Sequence, residues 1–247
     1  MTQILKKTEI ESGKGASSTM AFQLWRSPKD EQATDLDLFK PPFAYELAGL
    51  SFSVLYDDGR NSDALALAPY PSKSATLNGE PGEIYVAKVA EFIYYIAYSG
   101  AAAQSVSFVI DTETESAVRC GFSPGEGLRC GSLAGGVSFC GATNELDGNQ
   151  VELVMGHEKY SVVRMHFDAG AYGISQPKIN PQFVISANYS YCVKVRAGVY
   201  LTLSRCILNG VPQWSLVCVD YATLRGCGSI FYPNQTLHFG AFCRVVG

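Results

Sequence analysis

Arg164 and His166 stand two residues apart in a run, Tyr160 to Phe167, where polar and apolar residues alternate. In a strand, alternation puts Tyr160, Val162, Arg164 and His166 on one face and Ser161, Val163, Met165 and Phe167 on the other. An imidazole titrates near ~6.5, so His166 suits proton transfer at neutral pH. A guanidinium holds a carboxylate or steadies an enolate through charge-assisted hydrogen bonds. Met165 and Phe167 suit core packing, so Tyr160, Arg164 and His166 are expected to face a cavity as a catalytic group. An ordinary exposed strand face gives the same pattern.

A second set lies earlier. Glu83 and Tyr85 share one strand face, and with Tyr94 on the next strand they are expected to hold a phenol and a base against a substrate. Lys88 and Lys194 are polar residues inside apolar runs, which either reach out to water or point into a cavity. The chain has 14 tyrosines. Each supplies an apolar wall with a phenol donor, which suits an oxygenated aromatic ligand. Sheets favour aromatic residues in any case. Asp111 and Asp220 resemble paired catalytic carboxylates, but each precedes a polar, Thr-containing stretch and reads as a turn former.

Other chemistries lack their signatures. No glycine-rich phosphate loop, H-E-x-x-H or G-x-S-x-G occurs. Three scattered histidines make no metal site by themselves. The expectation is no metal and no cofactor.

These residues sit on elements that occur twice. Tyr85-Val86-Ala87-Lys88-Val89 to Tyr94 matches Tyr191-Cys192-Val193-Lys194-Val195 to Tyr200, each reading as two strands joined by a tight turn. Glu46-Leu47-Ala48-Gly49 matches Glu145-Leu146-Asp147-Gly148, and Val106 to Asp111 matches Ser215 to Asp220. Glu145 follows Glu46 by 99 residues, Lys194 follows Lys88 by 106, and Asp220 follows Asp111 by 109. Matched blocks in one order with drifting offsets indicate two tandem units. The expected divisions are an N-terminal tail or short helix over 1–41, one β unit over 42–125 and another over 137–247. Ser27-Pro28 marks the start of the short helix. The glycine-rich stretch 121–136 reads as the seam, and Ala169 to Pro181 as a loop in the second unit.

Charged residues make up 17% of the chain and the net charge is −4 with no basic block, so nucleic acid is not an expected partner. No apolar run is long enough for a membrane helix, and the first residues lack a secretory pattern, so a cytoplasmic protein away from the membrane is expected. The eight cysteines then read as buried free thiols, with no C-x-x-C pair among them. A homodimer is compatible with this reading.

The paired pattern resembles the MoaF family. It consists of Leu-x-Gly before a strand, Lys-Val followed by a β-branched residue and Tyr, and a strand ending in Asp. The second copy fits best: Leu146-Asp147-Gly148, Tyr160, Tyr172, Val199-Tyr200, Asp220-Tyr221 and Gly228-x-x-Phe231 fall in order. The likeness covers about residues 45–243. It implies two lipocalin-like units and an antiparallel calycin-type barrel, of the broad sort shared with phenolic acid decarboxylases. It supplies no catalytic residues. The expected fold is therefore all-β, as two packed barrels or one fused barrel. The expected function is a cofactor-independent lyase or isomerase (decarboxylase, dehydratase or cyclase) acting on a small aromatic or polyketide-like molecule. The alternative is a non-catalytic lipocalin-like carrier of such a ligand.

Overall fold

The computed structural model describes residues 39–59, 61–100, 105–122, 126–133, 138, 140–155, 162–168, 171–176, 180–185, 189–208, 211–232 and 235–246. For 171–176, 180–185, 189, 206–208 and 211–213 it describes the backbone alone. The short helix expected near Ser27 lies outside these residues. The described chain is all-β, with no helix among its elements. It divides into two compact units, Pro41–Gly141 with Lys194–Val199, and Ala142–Val193 with Tyr200–Gly247 and the N-terminal residues to Lys40.

The first unit is a closed antiparallel barrel of eight strands: β1 (Ser51–Tyr56), β2 (Ser62–Leu67), β3 (Ser74–Leu77), β4 (Glu80–Ala90), β5 (Ile93–Gly100), β6 (Ser105–Asp111), β7 (Ser116–Gly121) and β8 (Leu128–Leu133). Each strand pairs with the next, and β8 returns to β1 through Val54↔Leu133 and Tyr56↔Gly131. Local sequence fixes the turns. Asn78 and Gly79 both have positive φ, the pair a two-residue hairpin needs, and the Asn78 side chain accepts from Ala64 N at 2.8 Å. Alternate residues point inward, so Val54, Leu65, Leu77, Val86, Ile96, Phe108 and Ala117 join one core.

The barrel corrects the expected boundary at 125. Residues 121–136 are no linker, because β8 lies within them and closes the barrel. Gly131 serves close approach there: a Cβ on it would meet the Leu55 carbonyl oxygen at 2.5 Å.

The remaining ten strands form a second sheet. Its strands are β9 (Gly141–Ala142), β10 (Gln150–Val154), β11 (Val162–Asp168), β12 (Ala171–Gln176), β13 (Asn180–Ile185), β14 (Tyr189–Arg196), β15 (Val199–Leu208), β16 (Val211–Asp220), β17 (Arg225–Tyr232) and β18 (Gln235–Val246). Their order is β13-β12-β11-β10-β18-β17-β16-β15-β14-β9. The expected loop Ala169 to Pro181 is thus largely strand, with a register shift at Ser175/Gln176. As in the first unit, the first long strand pairs with the last, β10 with β18, but no pairing joins β13 to β14 among the described residues. The second unit is thus a half-barrel and the first a closed one, a calycin-like architecture.

The duplication read from the sequence recurs in the hydrogen bonds. Gly49 and Gly148 both have φ +80°. Ala48 N donates to Tyr45 O as Asp147 N does to Asn144 O, and Gly49 N donates to Ala68 O as Gly148 N does to Phe167 O. Asp111 Oδ1 accepts from Glu113 N and Thr114 N, while Asp220 Oδ1 accepts from Ala222 N. Both aspartates are turn formers, as their sequence context indicates. Among the described residues, no helix is long and apolar enough to cross a membrane.

Candidate functional site

The Arg164–His166 pair stands off the apolar core of the second unit. Cα pairing sets Val151 against Met165 and Leu153 against Val163, and these four join Phe167 in the core of the second unit. Arg164 and His166 stand on the opposite face. There Glu152, only 2% exposed, accepts from Arg164 Nε at 3.0 Å and also from Arg244. Burial, then the Arg164 charge, pushes the His166 pKa down, which favours neutral imidazole. The two faces alternate as expected, and the apolar one carries the core of the second unit. Tyr160 lies outside the described residues.

Glu83, Tyr85 and Tyr94 do not converge either. Tyr94 pairs with Lys88 in the β4–β5 ladder, so it shares the inward face of Lys88, Val86 and Ile84. Glu83 and Tyr85 lie on the other face, because side chains alternate. Glu83 is exposed, and the Tyr85 hydroxyl donates to Pro41 O at 3.0 Å. Lys88 ends the inward row, with Nζ 3.0 Å from Glu46 Oε1 and 5.7 Å from the Tyr94 ring centroid. The Glu46 hydrogen bond, with smaller contributions from Tyr94, raises its pKa. Lys194 is half-buried in β14.

At the end of the barrel away from Lys88, a different cluster faces inward. Tyr56 on β1, Asp63 on β2 and Arg119 on β7 occupy positions on the core face, and all three are at least nine-tenths buried. Tyr56 Oη donates to Asp63 Oδ2, and Asn78 Nδ2 donates to Asp63 Oδ1 at 2.7 Å. Arg119 Nε lies 2.9 Å from the same Oδ2, an ion-pair contact without hydrogen-bond alignment. Arg119 Nη2 donates to Glu126 Oε1 at 3.0 Å. Arg119 Nη1 is buried and has no hydrogen-bond partner among the described residues. The exposed Arg129, paired with Arg119 across β7–β8, sets its guanidinium 5.7 Å from the Tyr56 ring centroid.

Two glycine features shape this end. Gly121 faces inward, and a Cβ there would overlap the Glu126 carboxylate and come within 2.7 Å of Arg119 Nη1. Gly82 and Gly100 pair across β4–β5, and the Tyr98 ring lies over them with its hydroxyl donating to Glu80 O at 2.8 Å.

Burial is the largest cause raising the Tyr56 pKa, followed by the hydrogen bond and charge of Asp63; Arg119 and Arg129 oppose it. The phenol therefore stays protonated, a fixed donor beside a fixed cation. Such a pair polarises a carbonyl or holds an oxyanion in low dielectric. Asp63 and Glu126 both engage Arg119, and no group of three or more His, Cys, Asp or Glu among the described residues could hold a metal. The signal for this cluster is present in the sequence. Asp63 alternates with Leu65 and Leu67, and Arg119 with Ala117, so each is a charge on an apolar strand face.

No known family model matches this chain, and no curated protein matches it.

Proposed function

We propose that this protein is a cofactor-independent lyase or isomerase acting on a small aromatic or polyketide-like molecule at the polar end of the first barrel. One observation carries the reading: a buried arginine with an N–H that has no partner among the described residues stands on the same carboxylate oxygen as a buried tyrosine. Arg119 would stabilise charge that develops on a substrate oxygen, and Tyr56 would place a proton. Tyr98 and Phe108 belong to the same barrel core, and aromatic side chains of this kind suit a flat substrate. The MoaF-like pattern of residues 45–243 supports the same class. The seven cysteines whose side chains are described are unbridged, which supports a cytoplasmic setting.

A carrier of the same ligand is the second reading. Its support is that the Tyr56 proton is already committed to Asp63, a satisfied arrangement that needs no turnover. Incubation with aromatic ketones, enones and phenolic acids, without metal or nucleotide, separates the two. Product formation that drops ~10²-fold or more in Tyr56→Phe fits general acid catalysis. Saturable binding with no product across the panel assigns the carrier role.

A further inference from the structure

The unsatisfied donor on Arg119 also constrains what it can receive. Its charge is already shared by two carboxylates, Asp63 at 2.9 Å and Glu126 at 3.0 Å. The nearby Arg129 supplies the second positive charge, so the four formal charges cancel. A third carboxylate placed on Nη1 would face Asp63 and Glu126 across a few ångströms in a desolvated site, where like charges repel strongly. A neutral oxygen gives Nη1 the acceptor it lacks without adding charge.

We infer that the ligand meets Arg119 through a neutral carbonyl oxygen, as a ketone, enone, ester or lactone, and not through a carboxylate. This rests on the reading of the first barrel as the ligand site. It narrows the chemistry to enolisation, dehydration or cyclisation of a carbonyl compound and away from decarboxylation of a free acid. Asp63 and Glu126 both oppose an acid, and Glu126 is the one suited to a test. Its side chain is 31% exposed, against 11% for Arg119 and Asp63, so it is the member of the cluster that a substitution can neutralise with least damage to the core.

The test is calorimetric binding with matched pairs: acetophenone against benzoate, and benzylideneacetone against cinnamate. Wild-type protein is expected to bind the ketones at least ~10-fold more tightly than the acids, the scale of one well-made hydrogen bond. Glu126→Gln removes one negative charge, so it should raise cinnamate affinity ~10-fold while ketone affinity changes little. Melting curves confirm that the variant is folded. Tighter binding of the acids by wild type, lost in a folded Arg119→Lys, overturns the neutral-carbonyl inference but leaves the barrel site standing. Binding of neither class, or ketone binding indifferent to both substitutions, overturns the inference and the barrel reading together.

Discussion

Tyr56 and Arg119 converge on one atom, Oδ2 of Asp63. Strands β1, β2 and β7 each contribute one residue, so a single carboxylate bridges the β1–β8 seam at which the barrel closes. Asp63→Asn removes the full counter-charge on the Nε side of Arg119. Breaking a buried pair typically costs ~3–5 kcal/mol, and the Glu126 contact that remains should hold the loss to about 2–4 kcal/mol. Tyr56→Phe leaves Asp63 with Asn78 and Arg119, so about 1–2 kcal/mol is expected. Urea denaturation of both variants checks the order. A costlier Tyr56→Phe would show that ring packing, not the charge, dominates here.

The charge ladder of the second unit predicts an acid profile. Burial acts to raise the Glu152 carboxyl, but hydrogen bonds and charge from Arg164 and Arg244 outweigh it and hold its pKa below the usual range. A carboxyl lowered on folding stabilises fully above its unfolded value near ~4.3, and that stability is lost as pH falls through the folded value. His166 is lowered by burial and Arg164, so the fold prefers neutral imidazole. Its contribution is full above ~6.5 and declines as pH drops below that. Two losses should therefore appear on acidification, one starting near pH ~6.5 and one near ~4.3. His166→Phe should remove the first and Glu152→Gln the second, read by melting temperature against pH. His166→Phe should leave ligand binding unchanged, since the candidate site lies in the other unit.

What is legible in the sequence is its own repetition. Gly49 and Gly148, and Asp111 and Asp220, recur because identical turns demand the same backbone freedom and the same side-chain acceptor. The hairpin after Lys88 is legible for the same reason. Faces are harder. Residues Ile93 to Tyr98 of β5 are buried on both sides, so alternation carries no inside–outside signal there. At Arg164 and His166 alternation separates the two faces, but it does not say which of them is concave. The polar face suggests a cavity lining, but the core of the second unit lies on the apolar face of β11. Glycine misleads in β8, where Gly131 permits strand contact and breaks nothing. Asp63 and Arg119 escape notice because each is a lone charge within its strand, and only the barrel closure brings them together.

The thiols offer a separate check. Burial pushes Cys130 up to about 11 and Cys140, Cys192 and Cys243 up to about 12, with Cys120 and Cys227 also raised. Only a small thiolate fraction exists at pH ~8, so native protein should react slowly with a disulfide reagent. Among the six thiols just named, Cys130 should react first, being only partly buried and the least shifted. In denaturant, all eight cysteines should react. Peptide mapping of the labelled sites reads the order, and fewer than eight reactive thiols would reveal a bridge and sink the free-thiol reading.

The duplication itself can be tested energetically. Gly49 and Gly148 precede the first long strand of each unit, each at φ +80°, and a Cβ added at either would have nothing within 4 Å. An alanine there meets no steric neighbour, so only the backbone conformation resists it. A left-handed conformation costs an L-residue ~1–2 kcal/mol. The glycine it replaces loses more entropy on folding, which offsets up to ~1 kcal/mol. Each single variant should therefore lose about 0–2 kcal/mol. Each amide keeps its bond, Gly49 N to Ala68 O at 3.2 Å and Gly148 N to Phe167 O at 3.0 Å, so no hydrogen bond is forfeited. If the two turns are true copies, Gly49→Ala and Gly148→Ala should agree within ~0.5 kcal/mol, the usual scatter for independent sites. The double variant should equal their sum. A large loss in one and none in the other would mean that the matching φ values conceal different packing demands, and the two turns would no longer count as equivalent.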